Sequence, residues 1–448
     1  MTLDAIFSIP QFGGFAWTLL AFVVALSIIV FVHEYGHYIV GRWSGIHAEV
    51  FSLGFGPVLW SRVDKRGTRW QIAALPFGGY VKFLGDSNAA SAKADEHVMA
   101  ELTPEQRRAT MHGAPLWARA ATVAAGPAFN FVMSILVFAG FFLWMGVPVE
   151  RAVVGELRAT PFAADSLRPQ DTITALEGVP TPDFESFVKA VSELPPAPSV
   201  NYTVERGGAE TVVSGPYPMP PLAAFIQPQS AASEAGLQQG DVIIAVNGTP
   251  IDAFRQLREM VGDSDGQPLA LTVWRAGETF EATLQPKRQD LPLADGGFET
   301  RWLIGLSGDL VFAPEVRVPG PFESLRLAAQ TTLDIAATSL SAIWHVVTGA
   351  ISTCNLQGPI GIAETSGHAA SAGLSNFVWF IAMLSTAVGL MNLFPVPVLD
   401  GGHLVFHIYE ATTGRPPSDR ALRIMMSAGA AAILALMLFA LSNDIFCP

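Results

Sequence analysis

Cysteine, charged side chains and especially basic side chains are scarce in this sequence. Its 448 residues include two cysteines, Cys354 and Cys447, and only 15% are charged, whereas 50% are hydrophobic. Two cysteines are too few for a disulfide framework or a thiolate zinc site, and a single bridge between them stays open. The formal charge of −13 lacks the basic surface that phosphate binding needs, so we expect no nucleic-acid partner.

Long uncharged runs indicate a membrane protein. Four of them can cross about 30 Å of hydrocarbon as helices. They cover roughly residues 15–32, 120–145, 373–397 and 424–442. Basic residues concentrate in the loop 41–114, so we predict a cytoplasmic loop with both termini outside. A fifth run, 335–353, contains seven Ser, Thr or His side chains, which favours an interfacial or packed helix.

Residues 150–320 have a different composition, with charge, prolines and short apolar alternations that predict soluble domains. A repeat with an offset of 70 residues runs through them. In this repeat Leu167, Asp171, Ile173, Gly178, Pro180 and Phe184 recur as Leu237, Asp241, Ile243, Gly248, Pro250 and Phe254. The second copy, A-G-L-Q-Q-G-D-V-I-I-A-V-N-G, resembles a PDZ domain of bacterial proteases. Such domains capture extended peptides by strand addition, and the alternative is a rigid spacer.

The pattern H-E-Y-G-H at 33–37 is the sharpest chemical signal. His33 and His37, four residues apart, lie on one face of a helix and can bind one Zn²⁺, and Glu34 lies close enough to act on a water. Ionisable residues at a membrane span are costly and usually functional. We therefore predict a catalytic zinc site here.

A catalytic zinc usually has three protein ligands, so one more is needed. Glu49 is near in sequence but follows the end of the helix. Asp400 stands in N-L-F-P-V-P-V-L-D-G-G after a 31-residue uncharged run. By the predicted topology Asp400 lies on the same membrane side as His33 and His37, which favours Asp400. A second histidine pair, His403 and His407, has the same spacing but no glutamate between its members.

These motifs resemble the site-2 protease family of intramembrane zinc metalloproteases, and are most similar to its RseP-type, regulator-of-sigma-E members. The resemblance covers nearly the whole chain. It includes F-G-P at 55–57, L-P-F-G-G-Y-V-K at 75–82, G-P-A-F-N at 126–130 and G-P-I-G-I-A at 358–363. It implies that His33, His37 and Asp400 bind Zn²⁺ and that Glu34 is the catalytic acid and base.

The resemblance also implies roles for two asparagines, Asn130 and Asn392, in contacts to the substrate backbone. The alternative for both is hydrogen bonding between packed spans. Residues 68–84 read as a β-hairpin with F-G-G-Y, including Gly78 and Gly79, at the turn. Its free edge can accept an unwound substrate as an added strand, and the alternative is a plain cytoplasmic hairpin.

The predicted fold is a polytopic α-helical membrane protein with four transmembrane helices, a membrane-associated β-hairpin and two extracytoplasmic PDZ-like β-rich domains. The predicted divisions are a catalytic membrane region at 1–148, PDZ-like domains at 149–215 and 216–290, a connecting region at 291–372 and the last two spans at 373–448. The bilayer is the expected surroundings of the protein, as a multi-pass protein of a bacterial inner membrane. The zinc is expected toward the cytoplasm.

The predicted function is cleavage of transmembrane segments in regulated intramembrane proteolysis. By the resemblance, the substrates are pre-trimmed anti-sigma factors and remnant signal peptides. One alternative is a proteolytically inactive scaffold that binds envelope proteins through PDZ modules, but inactive relatives usually lose one of the four site residues. A second alternative, a membrane-anchored zincin with another third ligand, is disfavoured by the L-D-G motif.

Overall fold

The computed structural model describes residues 14–86, 96–162, 167–227, 230–292 and 298–446. Its helices are α1 (Gly14–Trp43), α2 (Glu96–Glu101), α3 (Pro104–Arg108), α4 (Leu116–Met145), α5 (Phe184–Glu193), α6 (Ala231–Glu234), α7 (Phe254–Gly262), α8 (Pro321–Val347), α9 (Pro359–Ser371), α10 (Leu374–Asn392), α11 (Asp400–Thr413) and α12 (Asp419–Phe446).

The strands fall into a long pair and a set of shorter ones. The long pair is β1 (Ala48–Val63) and β2 (Arg69–Phe83). The shorter strands are β3 (Val147–Pro148), β4 (Ala152–Leu157), β5 (Thr172–Leu176), β6 (Val179–Pro180), β7 (Val200–Arg206), β8 (Ala209–Gly215), β9 (Phe225–Ile226), β10 (Val242–Val246), β11 (Thr249–Pro250), β12 (Leu269–Arg275), β13 (Glu278–Leu284), β14 (Lys287–Pro292), β15 (Phe298–Leu303), β16 (Leu306–Ser307), β17 (Phe312–Pro314) and β18 (Val316–Arg317).

The chain forms two compact units. The first, which we call the membrane unit, comprises Met1–Phe141, Pro321–Ile343 and Leu356–Pro448. The second, the module unit, comprises Phe142–Gly320 and Trp344–Asn355. Cys447 lies outside the described residues, so a disulfide bond between it and Cys354 stays open.

Four helices of the described chain are long and apolar enough to cross a membrane, as the sequence predicts. They are Ala16–Trp43 of α1, Leu116–Met145 of α4, Leu374–Asn392 of α10 and Arg420–Phe446 of α12. The first is longer than its uncharged run, because the helix continues through H-E-Y-G-H to Trp43. The fifth run lies partly in α8, which begins at Pro321, includes Glu323, Arg326 and Asp334, and is not among these four helices.

Helices α1 and α4 cross where both have small residues. A Cβ atom on Gly36 would lie 2.5 Å from the carbonyl oxygen of Ala125, closer than any side chain tolerates. Close approach of backbones through glycine and alanine is a common way to pack helices in membranes. The crossing therefore fixes α4 directly behind the H-E-Y-G-H turn of α1.

Strands β1 and β2 each bend, so that together they form a sheet of four segments. Segment 48–53 lies in the middle: Phe51 is paired with both Trp70 and Val81. Segment 58–63 pairs with 69–73 at the outer side, where Arg62 opposes Trp70. Phe55 and Leu75 face each other at the bends. The motifs F-G-P and L-P-F-G-G-Y thus meet at one end of the sheet.

The predicted hairpin over 68–84 is wrong in its pairing. Its two arms do not pair with each other, because segment 48–53 lies between them and pairs with both. The glycines do mark a bend: Gly78 has φ +130°, a conformation that residues with a Cβ rarely adopt. Outer residues of the sheet, including Leu59 and Trp60, are exposed apolar side chains.

The module unit contains the two copies of the repeat, and one is nested in the other. Equivalent elements start at equivalent positions: β5 and β10 begin at Thr172 and Val242, and α5 and α7 at Phe184 and Phe254. Strand β16 pairs with β9, and β17 then pairs with β4. The second copy therefore lies, in chain order, between strands of the first. PDZ identity and the domain boundaries stay predictions.

Each copy has its own core and the same buried ion pair. Asp171 binds Arg206 through both carboxylate oxygens, at 2.7 and 2.6 Å, and Asp241 binds Arg275 at 2.6 and 2.7 Å. Burial alone raises the pKa of Asp171, but hydrogen bonds from Arg206 and from the Arg168 N–H outweigh it and hold that pKa below its usual value. The ion pair explains why both copies keep the aspartate.

Candidate metal centre

Helix α1 places His33 and His37 side by side. Residues four apart are neighbours on a helix face, and the two Nε2 atoms lie 3.2 Å apart with the rings nearly perpendicular. Their side chains are 12% and 13% exposed. The predicted pair is therefore formed at the edge of a cavity rather than on an open surface.

Asp400 comes to the same point from a distant part of the chain. Pro395 and Pro397 follow the end of α10 and cannot continue a helix, so the chain turns and α11 begins at Asp400. Its Oδ2 lies 3.1 Å from His33 Nε2 and 3.5 Å from His37 Nε2. In the described part of the chain, these three residues form the one group of histidines, cysteines and carboxylates placed to hold a metal ion.

The spacing of these three atoms fits zinc. With bonds of about 2.0–2.1 Å, two ligand atoms of a tetrahedral zinc are about 3.3–3.4 Å apart. The observed separations are 3.1, 3.2 and 3.5 Å. Oδ2 of Asp400 is buried and accepts no well-aligned hydrogen bond among the described residues. Such an atom facing two imidazole nitrogens is expected where a cation is bound.

The far side of each imidazole contacts α4. Nδ1 of His37 donates to the carbonyl oxygen of Thr122 at 2.8 Å, which leaves Nε2 free to bind a metal. Nδ1 of His33 lies 3.2 Å from the amide nitrogen of Asn130. The Asn130 oxygen has no partner among the described residues, and turning the amide by 180° brings it to the His33 N–H.

Gly126 on α4 forms the floor under both rings. A Cβ atom there would overlap the imidazole of His37 and lie 2.9 Å from Cε1 of His33. The G-P-A-F-N motif thus supplies a floor at Gly126 and a partner at Asn130. Spaced four residues apart, both lie on the same face of α4.

Glu34 lines a cavity of ~460 Å³ together with the three candidate ligands. The edge segment 79–83 of β2 runs beside it: a Cβ on Gly79 would lie 3.1 Å from Cγ of Glu34. In the described residues this segment pairs on one side only, with 48–53. The cavity is also lined by Asn392, His403, Arg119 and Glu410.

The predicted substrate-binding residues lie in different surroundings. Gly79 and Asn392 line the cavity, and the Asn392 amide donates to the carbonyl oxygen of Val388 at 3.1 Å. Gly78 lies in the bend against the Phe55 ring. Asn130 is fully buried and contacts His33 rather than open space. Substrate contact by these four residues stays a prediction.

Comparison with known proteins assigns the family. The model of peptidase family M50 matches residues 21–436. That range contains all three candidate ligands, His33, His37 and Asp400. The chain belongs to peptidase family M50.

Relatives match this M50 peptidase over nearly its whole length. It is 36% identical to "Putative zinc metalloprotease Atu1380" of Agrobacterium fabrum, over 95% of this chain and 94% of the relative. It is 34% identical to the regulator of sigma-E protease RseP of Escherichia coli, over 96% and 99% of the two chains. The protein is thus a zinc metalloprotease with membrane character, and the prediction of family, enzyme class and Zn²⁺ is confirmed.

Proposed function

We propose that this M50 peptidase is an intramembrane endopeptidase with His33, His37 and Asp400 as zinc ligands and Glu34 as the catalytic acid and base. Asp400 lies next to His33 and His37, and the two histidines belong to a helix apolar enough to span a membrane. This placement is the main support for the proposal. Such a site would hydrolyse peptide bonds that lie within the membrane.

Zinc held by these ligands would supply Lewis-acid chemistry, polarising the peptide carbonyl and lowering the pKa of bound water to about 7. Glu34 then takes a proton from the attacking water and later delivers it to the leaving amide nitrogen. His37 is held in its binding tautomer by the Thr122 carbonyl. Asn392, which lines the same cavity, offers an amide donor to the developing oxyanion.

A transmembrane helix must unwind before its scissile carbonyl is accessible, because that carbonyl is hydrogen-bonded within the helix. The edge segment 79–83 supports a route: an unwound stretch adds to it as a strand and so passes Glu34. Gly79 has no side chain to block the approach. This role replaces the free edge of the predicted hairpin, whose arms do not pair.

The substrates we propose are single-span membrane proteins. The E. coli relative is named a regulator of sigma-E protease, so anti-sigma factors that have already been trimmed are the leading class, with remnant signal peptides as a second. Cleavage would then be a step of regulated intramembrane proteolysis.

The location we propose is a bacterial inner membrane with the zinc toward the cytoplasm and the module unit outside. The basic residues of loop 41–114 support this orientation through the positive-inside rule. A topology reporter fused after Gly401 tests it and should be active in the cytoplasm. Reporter activity on the outer side would contradict it.

The mechanism is tested by Glu34→Gln and Asp400→Ala. Glu34→Gln should retain zinc and lose cleavage, because the ligands remain while the proton carrier is gone. Asp400→Ala should lose both. The measurements are zinc content of the purified protein and substrate fragments in membrane fractions, with Glu105→Gln on the exposed α3 as the matched control.

Substantial cleavage by Glu34→Gln would refute the role of Glu34, and unchanged zinc in Asp400→Ala would refute the third ligand. If the native protein binds envelope proteins without cutting any, the inactive-scaffold alternative applies instead.

A further inference from the structure

An ion pair inside the cavity wall joins α4 to α11. The two terminal guanidinium nitrogens of Arg119, Nη1 and Nη2, donate to the carboxylate of Glu410, at 3.0 and 2.7 Å. The two side chains are 17% and 18% exposed. The partners are 291 residues apart in the chain, so no local pattern brings them together.

Arg119 belongs to the face of α4 that supports the candidate ligands. Thr122 follows it by three residues, Gly126 by seven and Asn130 by eleven, which is the spacing of one helix face. Thr122 contacts His37, and Asn130 contacts His33. Asp400, the third candidate ligand, lies on α11, which this face contacts through Arg119.

Helix α11 needs two points of attachment to direct Asp400. Asp400 is its first residue, and Glu410 lies ten residues further, about 15 Å along the axis. At the Asp400 end, Gly401 and Gly402 pack against backbone carbonyls of the preceding turn, where a Cβ would not fit. At the other end, Glu410 binds Arg119. A helix held at both ends cannot rotate about its axis without breaking one attachment.

We infer that Arg119 and Glu410 are positioning residues that fix α11 so that Asp400 meets the two histidines. A half-buried bidentate ion pair has a desolvation cost, so it is weak evidence for stability. The planar guanidinium nevertheless fixes the direction in which the two side chains meet. The pair links the third ligand to the same helix that orients the first two. The inference rests on the proposed ligand set.

The test measures metal binding rather than activity alone. Arg119→Gln and Glu410→Gln should each weaken zinc binding about 10- to 100-fold, the usual cost of losing a group that orients a ligand. Zinc affinity is measured by chelator competition on purified full-length protein. The visible spectrum of the Co²⁺-loaded protein reports ligand geometry and should change in both variants. The exchanged pair, Arg119→Glu with Glu410→Arg, should recover affinity and spectrum.

Two further variants separate the outcomes. Arg108→Gln makes the same change on an exposed residue of α3 and is the matched control. Glu410→Asp keeps the charge but shortens the reach, so it remains informative if a neutral variant does not fold. Zinc affinity and Co²⁺ spectrum equal to those of the control in all Arg119 and Glu410 variants would overturn the inference. If Asp400→Ala itself keeps native zinc affinity, the proposed ligand set is what fails.

Discussion

At the scale of single residues, the candidate metal centre packs against Gly126, a position without a side chain. Gly126 lies under both imidazoles, and a Cβ there overlaps the His37 ring. We predict that Gly126→Ala weakens zinc binding by roughly 10- to 100-fold, as for other changes next to ligands, although alanine favours helix over glycine. Zinc content and cleavage of the purified variant are the measurements.

Gly140→Ala is the matched control for Gly126→Ala. Gly140 lies on the same helix, and nothing lies within 4 Å of the position of its Cβ. It should keep native zinc content. A Gly126→Ala protein that binds zinc like Gly140→Ala would contradict the role of Gly126 as the floor of the centre.

The three candidate ligands were predictable from sequence because zinc chemistry limits the residue types. His33 and His37 have the spacing of one helix face, and Asp400 stands after a break between prolines. Two of their partners on α4, Thr122 and Gly126, were not predicted, because Thr122 acts through its carbonyl oxygen and Gly126 through the absence of a side chain. A signal was nevertheless present: Arg119, Thr122, Gly126 and Asn130 form one stripe on an otherwise apolar helix.

At the scale of elements, the sequence predicts the two arms of 68–84 as strands but not strand β1, with which both arms pair. The glycines of F-G-G-Y predict a hairpin turn, and β2 does bend there, where Gly78 has a positive φ. The pattern predicts a hairpin because a glycine-rich turn between apolar arms usually joins paired strands. Here Phe51 and its neighbours insert between the arms, and such pairing depends on contacts far apart in the chain.

The aspartate of the first copy, Asp171, predicts a dependence of stability on pH. Since the folded-state pKa of Asp171 is below its usual value, its contribution is fully present above an unfolded pKa of about 3.9. This contribution to stability is lost as the pH falls through the folded-state pKa, which is lower than the unfolded one. Thermal unfolding of segment 142–320, measured as the pH is lowered from about 6, should show this loss of stability. In Asp171→Asn, the share of the pH dependence that comes from Asp171 should be absent.

Asp263→Asn, on an exposed residue of the second copy, is the control and should retain the pH dependence of the native segment. If Asp171→Asn loses stability with pH as steeply as the native segment, the Asp171–Arg206 pair is not its source.

At the scale of the whole molecule, the candidate centre joins two parts of the chain separated by the module unit. His37 and Asp400 come from opposite sides of that insertion in sequence, yet both belong to the membrane unit. Within the described residues, the modules therefore contribute no candidate ligand to the centre. This arrangement suits control of access better than participation in hydrolysis.

We therefore predict that disrupting a module changes which substrates are cut, not the reaction itself. Ile243 is completely buried in the core of the second copy, so Ile243→Asp places a carboxylate in that core at high cost. Cleavage of a pre-trimmed substrate should persist, and the full-length form should now be cut, because exclusion by clash discriminates against bulky domains. Membrane fragments from cells expressing each enzyme with each substrate are compared on gels.

The control for Ile243→Asp is Thr249→Asp, which adds the same group to an exposed position of the same copy. Its substrate range should match that of the native protein. Deletion of the modules should act like Ile243→Asp if they exclude substrates, because a clash disappears with the folded domain. If deletion instead abolishes cleavage of the trimmed substrate while zinc content and membrane insertion stay native, the modules recruit substrates by strand addition rather than exclude them.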